Sequence, residues 1–98
     1  MSEEMRNRDR IARIEQMEQL YDTVLYAKNT HPESFMEDRL IRDYLQKLSE
    51  YYTDGQWLKD YESDERGELP ADLKRGVLSQ DALYDLFSEI EYKQNRHD

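Results

Sequence analysis

Only three glycines and two prolines interrupt this chain of 98 residues. They lie between Pro32 and Gly76, so long stretches on either side contain nothing that stops a helix. From Glu4 to Lys28 the apolar residues Ile11, Ile14, Met17, Tyr21, Val24 and Leu25 recur at spacings of three and four, which predicts an amphipathic helix over 4–28. Met36, Leu40, Ile41, Tyr44, Leu45, Leu48 and Tyr52 keep the same period and predict a second helix over 33–52. Thr30-His31-Pro32-Glu33 has the form of a capping box for that second helix. The Thr30 hydroxyl would accept from the Glu33 amide, the Glu33 carboxylate would reach back, and Pro32 would remove a donor that is orphaned anyway. Two antiparallel helices joined by a short turn are therefore expected.

Thr53-Asp54-Gly55 ends the second helix, since Gly can take the left-handed conformation that closes a helix. A short helix over 56–66, ending at Gly67, comes next. Residues 67–78 read as a loop with one helical turn, with Lys74 and Arg75 against the negative end of that turn. Ser79 is the expected N-cap of a third long helix over 80–93, with Asp81 in its first turn and Leu83, Leu86, Phe87 and Ile90 on its buried side. Asn95 to Asp98 are expected to fray. Each apolar stripe is unstable in water alone, so the expected fold is all-α: one small helical bundle over 1–98, a helical hairpin plus a third long helix. Leu, Ile, Val and Phe make up only 19 of the 98 residues, close to the composition of disordered chains. Eight Tyr and one Trp supply the large buried area that those residues do not.

Charge narrows the functional classes. Lys and Arg total 14 against 23 Asp and Glu, a net charge of −9, with 38% of residues charged. Such a body repels phosphates and anionic lipid surfaces at long range, so direct nucleic-acid or membrane binding is not expected. Cysteine is absent, which excludes disulfides, thiolate metal sites and a Cys nucleophile. No signal-peptide pattern opens the chain and no window approaches the roughly 18–20 apolar residues of a membrane span, so a cytoplasmic protein is expected.

The run from Tyr51 to Glu65 (Tyr51-Tyr52, Trp57-Leu58, Asp64-Glu65) continues through Gly67-Glu68-Leu69-Pro70 and Asp72-Leu73-Lys74-Arg75-Gly76-Val77-Leu78-Ser79 to Tyr84-Asp85-Leu86. Through these elements the C-terminal half closely resembles the domain of unknown function 4298 family. In the N-terminal half the helical pattern and the acidic character match. The resemblance implies a cytosolic, all-helical protein of bacterial or phage origin, and it supplies no catalytic residues.

The densest acidic stretch is Asp60, Glu62, Asp64, Glu65, Glu68 and Asp72. Asp60-x-Glu62-x-Asp64 opens like a calcium loop, but its sixth and twelfth positions are Glu65 and Ala71 where that loop wants Gly and Glu. A solvated acidic face with no metal is the expectation. Trp57 and Tyr61 lie one turn apart beside these acids, either as a core plug or as an exposed aromatic cluster. If exposed, Trp57, Tyr61, Asp60, Glu62, Asp64, Glu65 and Glu68 form a partner-binding patch suited to basic side chains. Lys74 and Arg75 read either as an anion contact near the Ser79 helix start or as charges that neutralise a helix end or nearby carboxylates. Arg6, Arg8, Arg10 and Arg13 form a basic segment that Glu3, Glu4 and Asp9 interrupt.

Catalysis has little support. His31 falls in a predicted turn and His97 in the tail, and there is no Gly-rich phosphate loop and no zinc-protease motif. The first reading is a non-enzymatic, cofactor-free interaction module that binds a basic or neutral protein partner or self-associates. Its motive is a 57–72 segment more elaborate than a minimal bundle requires. The alternative is an acidic nucleic-acid mimic, a phage-type inhibitor of a nuclease or another nucleic-acid-binding protein.

Overall fold

The computed structural model describes residues 3–94, and the fraying expected of 95–98 lies outside them. Among the described residues four α-helices form: α1 (Glu3–Thr30), α2 (Arg39–Thr53), α3 (Gln56–Glu65) and α4 (Ala82–Gln94). Two 3-10 turns, Phe35–Glu37 and Gly76–Leu78, complete the regular structure, and no strand occurs among the described residues. The described chain is all-α, as the breaker-poor sequence predicts.

The capping box at Thr30 does not form. α1 continues to Thr30, whose hydroxyl donates to the Tyr26 carbonyl at 2.7 Å inside the helix. The next segment drops the Phe35 ring into the core through the first 3-10 turn. α2 then starts at Arg39, where the extended Asp38 accepts from the Leu40 amide at 2.9 Å, the role sequence reading had assigned to Thr30. This start leaves Leu40 on the outer side, 51% exposed, while Ile41, Leu45 and Leu48 face inward.

α3 follows α2 after Asp54 and Gly55. Gly55 has φ +96°, a conformation in which a side chain would be strained, and Asp54 accepts from the Gln56 amide at 2.9 Å. Gly67 closes α3 in the same left-handed region: its amide reaches the Asp64 carbonyl, and the Glu68 amide reaches that of Ser63, each at 3.0 Å. Ser79 is not an N-cap. It terminates the second 3-10 turn, and α4 begins two residues later than expected, with the Asp81 carbonyl accepting from Asp85.

α1 is the spine on which the other elements are arranged in order. Arg13 of α1 and Tyr51 of α2 meet the same carboxylate, Asp60, while the other ends of α1 and α2 are joined, so the two helices run antiparallel. Midway along α1, Glu18 accepts from the Val77 amide in the second 3-10 turn at 2.8 Å. Further on, Asp85 faces Tyr21, and Lys28 pairs with Glu89, so α4 runs parallel to α1. The Cα atoms extend over 52 × 22 × 18 Å, an elongated body built along the 28-residue α1. Ile14 and Val24 of α1, Leu48 of α2, Val77, and Leu83 and Leu86 of α4 form the centre of the core. Residues 67–79 are no free loop, since Leu69, Val77 and Leu78 are buried.

Candidate functional site

Along α3 the chain alternates between interior and surface with the helical period. Trp57, Asp60 and Ser63 are buried at spacings of three, whereas Leu58, Glu62 and Glu65 face outward. Trp57 is 9% exposed and plugs the core. Its indole donates to the Val77 carbonyl at 2.9 Å, its ring stacks on Tyr61 at 5.1 Å, and Tyr52 meets it edge-on at 5.2 Å. The binding-patch reading of Trp57 is thereby corrected: an amphipathic ring on the inner face of a small bundle is worth more as buried area with its N–H satisfied.

Asp60 is corrected as well, because it is fully buried rather than part of a solvated face. Arg13 donates to it from Nε at 3.0 Å and also from Nη2, and the Tyr51 hydroxyl donates at 2.7 Å. Arg10 stands behind them, its Nε 3.5 Å from Asp60 and without a hydrogen bond, adding a second positive charge beside the carboxylate. The bond to Asp60 holds the Arg13 guanidinium charged above its ordinary range. Burial, and then the neighbouring Asp60 carboxylate, push the Tyr51 phenol well above its usual range. The cluster is closed to solvent on the Asp60 side and acts as a clamp between α1, α2 and α3.

Other acids of the run are also engaged. Asp64 pairs with Arg75, whose guanidinium also donates to the carbonyls of Pro70 and Leu73. Arg75 is therefore engaged with Asp64 of α3 and with its own loop, the neutralising role rather than the anion contact; Lys74 is exposed and takes no part in that pairing. Glu68 pairs with Arg66, and the bonds from Arg66 and Ser63 hold its carboxyl below the usual range. Because Asp60, Glu62 and Asp64 lie on a helix, their side chains diverge and cannot wrap a cation as a calcium loop does. Among the described residues no group of three His, Cys, Asp or Glu is arranged to hold a metal. What remains exposed from the predicted patch is Glu62 and Glu65, beside the half-buried Tyr61, whose hydroxyl bonds Glu65, and Glu68, which is exposed but paired with Arg66.

Sequence reading missed a second acidic surface. A groove of about 410 Å³ runs between α1 and the 70–74 segment, lined by Ile11, Pro70 and Leu73 and by Glu15, Glu18, Asp22 and Asp72, with Gln19 and Lys74 completing the wall. Its signal was present: Glu18 interrupts the apolar series Ile11, Ile14, Tyr21, Leu25 at a position where a buried side chain belongs. Arg10 and Arg13 gave a weaker one, two cations facing the same side of α1 as the start of that series.

No helix among the described residues is long and apolar enough to cross a membrane. No curated protein and no solved structure matches the chain. From Ile14 of α1 onward, through the breaker at Gly55, the Gly67-Glu68-Leu69-Pro70 turn and the buried Val77-Leu78 pair, the chain is covered by a family model. Matching residues 14–96, that model is the Domain of unknown function (DUF4298), and the chain belongs to this family.

Proposed function

We propose that this chain is a non-enzymatic interaction module that binds the basic surface of a protein partner. The observation that carries the reading is how charge is distributed after folding. Among the described residues, Arg10, Arg13, Lys28, Arg66 and Arg75 are engaged with Asp60, Asp64, Glu68 and Glu89. Pairing takes up five cations and four carboxylates, so the groups left unpaired keep the acidic excess of a chain whose net charge is −9. On the outer face of α3, Leu58 is 52% exposed and shares that face with Glu62 and Glu65, next to Tyr61. An apolar and aromatic contact rimmed by carboxylates suits Lys and Arg side chains, which offer an alkyl stem and a cation together.

The test is binding of a panel of basic and neutral peptides at low and high salt, comparing the native protein with Glu62→Lys/Glu65→Lys. The expected result is preference for basic peptides, lost at high salt and weakened in the double variant. Equal binding by the two proteins overturns the assignment of this face. Binding of neutral peptides alone, insensitive to salt, overturns the basic-partner reading. Displacement of DNA from a nuclease, with no peptide bound, favours the nucleic-acid-mimic alternative instead.

A further inference from the structure

We infer that the groove between α1 and residues 70–74 receives a Lys- or Arg-bearing peptide segment of a protein partner. The inference shares with the interaction-module reading its basic partner and assigns it a second surface, remote in sequence from Glu62 and Glu65. Three features of the groove point to this occupant. Its volume, about 410 Å³, is bordered by the apolar side chains of Ile11, Pro70 and Leu73, which suit the alkyl stem of a long basic residue. Glu15, Glu18 and Asp22 follow one another along one side of α1 at spacings of three and four, so their carboxylates repeat at about one helical turn, roughly 5.4 Å. Asp72 faces them from the opposite wall.

The third feature separates this groove from an ordinary acidic surface. Glu18 is only 7% exposed, and no cation of the described residues lies within ion-pair distance of it. One of its oxygens accepts from the Val77 amide; the other lies over Gly76 and accepts no hydrogen bond among the described residues. That second oxygen is not sealed from solvent, so an ammonium or guanidinium entering the groove can reach it and form a charge-assisted hydrogen bond. The other strongly buried acid among the described residues, Asp60, has such a partner in Arg13. Lys74, at the rim, is the one cation among the lining residues and would compete for the same carboxylates.

The experiment uses the full chain and a short labelled peptide with arginines one helical turn apart and leucines between them. Two control peptides replace the arginines by glutamines or the leucines by serines. Glu15→Lys/Asp22→Lys alters exposed positions, and Glu18→Gln keeps an acceptor for the Val77 amide. Both are expected to weaken Kd by about tenfold or more, with the helical circular-dichroism signal and melting cooperativity retained, while Lys74→Ala tightens binding. Glu62→Lys/Glu65→Lys is assayed beside them: a loss confined to the groove variants places this peptide in the groove, a loss confined to the α3 variant overturns the inference and leaves the α3 reading standing, and Asp43→Lys, at an exposed α2 position outside both surfaces, leaves Kd unchanged. Unchanged Kd in both groove variants overturns the inference, as does equal binding of the serine peptide, which would reduce the effect to general charge. Displacement of the peptide by spermine at equal concentration overturns the assignment to a peptide and leaves a site for free polycations.

Discussion

Asp60 and Glu62 stand two residues apart on the same short helix and live in opposite surroundings. Asp60 is out of contact with water and takes three hydrogen bonds from Arg13 and Tyr51; Glu62 is exposed. The helix turns about 100° per residue, so two positions carry a side chain from the inner face of α3 to the outer one. A carboxylate on the inner face is tolerated only because cations arrive from α1, 47 residues away. The density of acid along a chain therefore says little about where the negative surface lies. That surface is what remains after the interior has taken the carboxylates it can satisfy.

The contrast is sharpest where the inner carboxylate is removed. Asp60→Ala strands Arg13 beside an emptied site and is expected to cost about 3–5 kcal/mol, read from denaturant unfolding. A loss below 1 kcal/mol would mean that the clamp is dispensable and the contrast false. Tyr51→Phe removes one donor to a charged acceptor and is expected to cost about 1.5–3 kcal/mol.

Tyr51→Phe also carries a pH signature. Folding raises the Tyr51 phenol, so its neutral form is favoured in the native state. The associated stability is intact below the phenol's ordinary value, about 10, and declines as pH rises above it, while the unfolded chain ionises first. Unfolding measured from neutral to strongly alkaline pH should show this decline in the native protein and a shallower one in the Phe variant. On the acid side the sign reverses. Glu68 is held low, so its contribution is present above the ordinary carboxylate range and is lost as pH falls through and below it. Glu68→Gln should flatten that part of the acid titration of stability. The smallest effect belongs to the outer face, where Glu62→Ala is expected to stay within about 0.5 kcal/mol of the native protein. A larger loss would show that the outer carboxylates also hold the fold.

Much of the helical content was legible, because helix formation is read from local period and from the scarcity of breakers. Ile14, Val24, Ile41, Leu45, Leu48, Leu83, Leu86 and Ile90 were all identifiable as inward positions, and all are buried. Boundaries were less legible. Thr30-His31-Pro32-Glu33 satisfies the local rules of a capping box, yet burial of Phe35 directs the chain into a 3-10 turn and moves the cap to Asp38. Leu40, counted with the apolar stripe, lies outside for the same reason.

The candidate site was less legible still. Trp57 was left between core and surface because one aromatic ring suits either, and its hydrogen bond to Val77 crosses 20 residues that no local rule connects. Glu18 was the overlooked signal, a carboxylate at an apolar position, which marks either a buried partner or a site awaiting one.

By itself the sequence determined an acidic, all-helical chain, the positions of its breakers and most of the inward apolar residues, since propensity, period and turn chemistry act over a few residues. Only the tertiary structure decided which acids are interior, which arginines are spent on them and where the unpaired carboxylates gather. Desolvating a charge is unfavourable unless donors converge on it, and here they converge from α1 and α2 onto α3, from positions that only folding brings together.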